Sequence, residues 1–289
     1  MKVKRLILLA AVFLMLAAPI PALAWGIAPT HYSMLYDLLN DDGDLPEAIT
    51  ANPQAFVQAA VGPDLAWTPL FRTTGRSYIH SLEFAESLYA VAKNDMELAM
   101  AYGFGAHLAA DAAGEVSAAN PNGFIPEAEP LHQLVEVAMD TVIFYTFPLP
   151  DTLSSWDQVY PSFDANLLFR ASIYYSRQVE RVPLVWPWMA EQALRTLEAT
   201  TNAEFDYLEL KQDPCLSLAF LNELAGKGLL PSADFMAYYD LAVEAAGTWI
   251  AEIDGQTGQL TETPVPASLL LLGSGLLGLG LLGQRRQKS

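Results

Sequence analysis

From Pro29 to Ile253 apolar side chains return every three or four residues in one segment after another, and nothing longer than a few residues alternates apolar with polar as a half-buried strand would. A chain patterned this way buries its apolar stripes by packing helix against helix, so an all-α fold is expected. A first helix after Pro29 carries His31, Met34, Leu35 and Leu38 and stops at the Asn40-Asp41-Asp42-Gly43-Asp44 turn, which lacks the spacing of a calcium-binding loop. A short helix over 53–61 is broken by Gly62-Pro63-Asp64. Longer helices are predicted over 75–93 and 95–113, with Asn94-Asp95 as break and cap. After a Pro-, Gly- and Asn-rich loop to Pro130, helical period resumes over 131–147, 164–181, 186–210 and 232–253. In the last of these Phe235, Tyr238, Ala242, Ala245, Trp249 and Ile253 are expected to form the buried face. There is no internal repeat.

The two ends read differently. Lys2, Lys4 and Arg5 precede an apolar run, a Pro-Ile-Pro break and Ala22-Leu23-Ala24, the pattern of a secretory signal peptide over 1–24 cleaved ahead of Trp25. A helical domain over 25–253 and a polar linker over 254–264 follow. Residues 265–289 run from Val-Pro-Ala-Ser through about 17 apolar residues to a basic tail at Arg285, Arg286 and Lys288, a short transmembrane helix with its cations on the cytoplasmic side. This tail resembles the PEP-CTERM bacterial sorting signals, although Val-Pro-Ala-Ser stands in place of Pro-Glu-Pro. The resemblance implies an exosortase-like processing partner and an exported protein of the cell envelope or exterior, membrane-anchored unless the segment is cleaved. Gly273, Gly275 and Gly278 fit GxGxxG, but they lie inside the apolar run with no strand before them, so they are no nucleotide site.

Between the ends, 33 Asp and Glu face nine Lys and Arg, a formal charge near −24. So acidic a surface, with no basic stripe interleaved with aromatics, disfavours a nucleic-acid partner. Cys215 is the one cysteine, which excludes an intramolecular disulfide and leaves metal as a possible source of cross-linking in a secreted chain. Its lack of a histidine neighbour in sequence also argues against thiol nucleophilic catalysis.

All four histidines, His31, His80, His107 and His132, fall in the first half of the chain. Asp111 follows His107 and Glu136 follows His132 at i+4, which stacks an imidazole and a carboxylate one helical turn apart on the same face, where the two can grip one ion. Taken singly, each pair is as readily a solvated or hydrogen-bonded couple.

In combination the pieces resemble the zinc-dependent phospholipase C family, whose all-helical fold also serves single-strand-specific nucleases. The likeness rests on Trp25-Gly26-Ile27-Ala28-Pro29-Thr30-His31, Gly62-Pro63-Asp64, Ser77-Tyr78-Ile79-His80-Ser81, His107-Leu-Ala-Ala-Asp111-Ala-Ala-Gly114 and His132 with Glu136 and Asp140, and it spans 25–140. It implies two or three Zn²⁺: one held by the Trp25 amine and carbonyl, His31 and Asp111; a second by Asp64, His80, His107 and Asp111; a third by His132 and Glu136. Where that family has a further histidine after the H-x-x-x-D segment, this chain has Glu115, a substitute oxygen ligand. Cleavage after Ala24 would then create the first site by freeing the Trp25 amine. The implied activity is hydrolysis of a phospholipid or other phosphodiester, with Asp64 as catalytic base. A nuclease on the same cluster and a non-catalytic envelope protein with a degenerate metal site are the alternatives.

Overall fold

The computed structural model describes residues 28–40, 45–114, 123–125, 131–146, 163–211, 214–230 and 235–255. Among these there is no β-strand, and the all-α expectation holds. The α-helices are α1 (Ala28–Asn40), α2 (Glu47–Ala51), α3 (Pro53–Gln58), α4 (Pro69–Thr73), α5 (Leu82–Val91), α6 (Asp95–Gly114), α7 (Leu131–Thr146), α8 (Ala165–Gln178), α9 (Pro187–Lys211), α10 (Pro214–Gly226) and α11 (Phe235–Gly255). Short 3₁₀ turns cover Ala59–Val61, Pro63–Trp67 and Ser77–Ile79. No helix among the described residues is long and apolar enough to cross a membrane. The predicted signal peptide and the predicted span over 265–289 lie outside the described residues, as do Trp25 and Glu115.

Helix α6 is the axis of the fold. It packs against α11, α3, α5, α2 and the turn at Ala59–Val61, and nearly every residue from Ala99 to Asp111 is buried whichever way it faces. A helix surrounded on all sides needs no polar face, which is why this segment is apolar all round rather than striped. Two glycines permit the close approaches: a Cβ on Gly103 would stand 2.0 Å from the Phe56 carbonyl oxygen, and one on Gly105 would stand 2.0 Å from the Trp249 ring. The start of α6 is fixed as the sequence suggests. Asn94 Oδ1 accepts from the Glu97 N–H (3.0 Å), and the Glu97 carboxylate accepts from the Lys93 N–H (2.7 Å) and from Arg170 of α8 (2.6 Å).

A large apolar cluster surrounds α6, and a second one joins α7, α10 and α11 around Val135, Ile143, Leu221 and Tyr239. Several elements depart from the sequence reading. The helix expected over 75–93 begins only at Leu82, because Gly75 takes a left-handed φ of 71° and Ser77–Ile79 is a 3₁₀ turn. Ser81 caps the true start by accepting from Phe84 N–H (3.3 Å). The buried face of α11 is Phe235, Tyr239, Ala242, Ala246, Ile250 and Ile253, so Tyr238, Ala245 and Trp249 lie at its edge. That edge placement follows from wrapping: α11 packs on α6 through Gly105, which draws Trp249 in from the side. Helices α2, α4 and α10 have no counterpart in the sequence reading; the first two are five residues each, too short to show a period, and in the third exposed Leu216 and Leu218 blur the face buried at Ser217, Leu221 and Leu224.

Candidate metal centre

Five segments far apart in sequence deliver the polar groups of the interior. α1 brings His31, the 3₁₀ turn at Pro63–Trp67 brings Asp64, the residue closing the Ser77–Ile79 turn is His80, α6 brings His107 and Asp111, and α7 brings His132, Glu136 and Asp140. His80 was expected on a helix. It sits instead in the link between the 3₁₀ turn and α5, with φ −84° and ψ 62°, a geometry that turns its ring inward beside Trp67 at 5.4 Å between centroids.

Asp111 is the hub. His107 Nε2 lies 2.9 Å from its Oδ2, His80 Nε2 3.3 Å from the same oxygen, and His31 Nε2 3.3 Å from Oδ1. Asp64 Oδ1 lies 3.7 Å from His107 Nε2. The His31 and His107 rings stack at 3.7 Å, and His80 meets His107 edge-on at 5.6 Å. Two sets of side chains therefore have ligand atoms mutually within 4.8 Å: His31, His107 and Asp111, and Asp64, His80 and His107. The resemblance placed His107 in one set and Asp111 in both; here His107 is common to both sets, and Asp111 touches every histidine among them.

His132 and Glu136 form their pair one turn apart, 2.7 Å between Nε2 and Oε1. No third ligand joins them among the described residues, and Glu115, the expected one, lies outside these. Asp140 has a different task. Its Oδ1 accepts from both the Thr30 hydroxyl (2.6 Å) and the Thr30 N–H (3.1 Å), which fastens the first turn of α1, and with it His31, to α7. Sequence gave no sign of this bond, since it joins residues 110 apart.

The electrostatics suit a cation. Burial of the imidazole lowers the His107 pKa to about 4, and the neighbouring His31 and His80 add to this against the pull of Asp111. His107 is therefore neutral at pH 7 and offers a lone pair. Burial pushes the Asp111 carboxyl upward, but His107 and His31 outweigh it and hold Asp111 well below the usual carboxylate range, ionised. Burial raises Glu136, opposed by His132. Both His107 nitrogens and His31 Nδ1 are buried without a well-formed hydrogen bond, His107 Nε2 meeting Asp111 Oδ2 as a close contact at 2.9 Å. Each such orphan costs about 1–3 kcal/mol; His107 Nε2, which faces Asp111, is the one that a cation at this point would satisfy, whereas the two Nδ1 atoms lie on the far edges of their rings. The residues present thus fit a metal ion. A cavity of about 20 Å³, large enough for about one water, opens beside His31 and Asp111 between Met34, Phe124, Met139 and Tyr238.

Comparison of the chain with known protein families, with characterised proteins and with solved structures found no match.

Proposed function

We propose that this cluster is a divalent-metal centre and that the protein is an exported phosphodiester hydrolase of phospholipase C type. The observation that carries the metal reading is the meeting of three histidines and two aspartates from four separate segments about the Nε2 edge of His107. Imidazole with carboxylate is the donor set of Zn²⁺ sites, and zinc is the ion we propose, as one ion that takes His107 or as two that would share the Asp111 carboxylate. Such ions supply hydroxide near neutral pH and neutralise charge on a phosphoryl group. The chain's own contribution is positional. Asp111 keeps three imidazoles facing one point, and Thr30–Asp140 fixes the approach of α1. Asp64, buried at the cluster's edge on a short 3₁₀ turn, is the proposed acceptor of a proton from an attacking water, a role its 3.7 Å approach to His107 Nε2 supports. The acid-rich surface favours a phospholipid or small phosphodiester over a polynucleotide.

One observation favours a second reading, a purely structural metal site: the cavity beside the cluster, about 20 Å³, has room for about one water and none for a phosphoryl group. Metal analysis of the purified protein, together with hydrolysis of phosphatidylcholine and of bis(p-nitrophenyl) phosphate, separates the two. Bound zinc with turnover, both abolished in Asp111→Asn, is the expected result. Zinc without turnover leaves the structural site, and a metal-free wild type with normal stability removes the centre altogether.

A further inference from the structure

The chain between its ends is strongly acidic, but its cations are not scattered, although one of them, Arg76, is buried. Segments 72–76 and 177–195 together hold five Lys and Arg against two Asp and Glu, whereas the rest of 25–264 holds four against 31. The two segments are also joined in space: Arg76 Nε donates to the Leu184 carbonyl (2.9 Å), and the Tyr78 hydroxyl donates to that of Pro183 (2.9 Å). On this same strap stand the two most exposed tryptophans among the described residues, Trp186 at 47 % and Trp188 at 62 %. Trp186 is not loose. Its ring stacks on Phe169 of α8 at 5.2 Å and 26°, so it is held outward by packing. Arg177, Arg181 and Arg195 lie within nine residues of Trp186 in sequence and are exposed, as is Val179.

Two exposed indoles, one of them held outward by packing, on the same arginine-bearing stretch of an otherwise anionic chain fit an apolar partner carrying negative charge. We infer that the Trp186–Trp188 strap with Arg177, Arg181 and Arg195 is a docking surface for the headgroup layer of an anionic phospholipid bilayer. Tryptophan settles at that depth because one end of the indole is apolar and the other donates a hydrogen bond, and arginine in the same layer meets lipid phosphate. The chain's own layout brings the bilayer near. Only nine residues, 256–264, separate the end of α11 from the apolar run, which at about 3.5 Å each is a tether of at most about 30 Å. The patch and the exit point also share one end of α6. Arg170, next to Phe169, pairs with Glu97 in its first turn, and Asp254 accepts from Tyr102 a little further along (2.7 Å).

The test uses the full chain reconstituted into vesicles of phosphatidylglycerol or of phosphatidylcholine, each with brominated acyl chains that quench indole fluorescence on contact. In phosphatidylglycerol, Trp186→Phe/Trp188→Phe should lose at least about half of the quenchable emission, and Arg177→Gln/Arg181→Gln/Arg195→Gln should lower wild-type quenching at least twofold. In phosphatidylcholine the wild type should be quenched less than in phosphatidylglycerol. Bound metal should be the same in all variants, which separates a failure here from a failure of the metal centre. Quenching that is equal in the two lipids, or unchanged in the double tryptophan variant, overturns the inference. So does protection of these tryptophans by self-association in detergent, which would make the strap a contact between copies of the chain.

Discussion

Glu86 shows how burial acts on a single residue away from the metal cluster. It sits on α5 beside Glu83 and faces Tyr174, and burial first, then the Glu83 charge, raises its pKa to about 7. A carboxyl that holds its proton more tightly folded than unfolded stabilises the fold fully below about 4.5, and that stability is lost as the pH climbs through about 7. Glu86→Gln keeps the neutral form at every pH. After discounting for partial exposure it should stabilise the protein by about 1–2 kcal/mol at pH 8, or roughly 2–6 °C in Tm, with the gap closing toward pH 5. Thermal melts of both proteins at the two pH values check this. A gap that persists at pH 5 would mean that shape, not charge, is the cause. Residue-level chemistry of this kind was not legible in the sequence, where Glu86 is one of 33 acids. The metal-ligand candidates were more legible, because His107 with Asp111 and His132 with Glu136 announce themselves by i+4 spacing on helices that do form.

At the scale of elements, α6 depends on glycine for reasons opposite to helix propensity. Gly→Ala in an exposed helix gains about 1 kcal/mol. At Gly103 the added methyl would meet the Phe56 carbonyl oxygen at 2.0 Å, a backbone atom that cannot move without displacing α3. Gly103→Ala should therefore lose about 1–3 kcal/mol or more, seen as a lower denaturant midpoint. Gly105→Ala meets a side chain, Trp249, at 2.0 Å. Its loss should be partly restored by adding Trp249→Leu, whereas no side-chain change rescues Gly103→Ala. Equal behaviour of the two glycines in such a double-mutant comparison would show that the helices adjust as units.

Considered as a whole molecule, the protein gathers its buried candidate ligands from four segments far apart in sequence, in a chain whose formal charge between the ends is near −24. The proposed ion would link metal binding to folding: an ion held at about 100 times its Kd adds roughly 2.7 kcal/mol per site. Chelation with EDTA at pH 7.5 is expected to lower Tm by several degrees, and a slight excess of Zn²⁺ to restore it, with Asp111→Asn indifferent to both. A melt of the wild type unaffected by chelator would place the stability of the fold in its apolar clusters alone.

Sequence by itself determined the helical class, the starts of α1, α6, α7, α8 and α9 to within a residue or two, and which histidines pair with which carboxylates on one helix. These are local matters, set by periodicity, caps and i+4 geometry over a few turns of chain. Tertiary structure alone decided that Asp111 faces three histidines at once, that His80 stands in a turn, that Asp140 ties down Thr30, and that α11 buries Tyr239 rather than Tyr238. Each of these depends on how one helix is rotated and set against another. That rotation follows from the packing of side chains from distant segments, such as Trp249 over Gly105, and no window of sequence contains both partners.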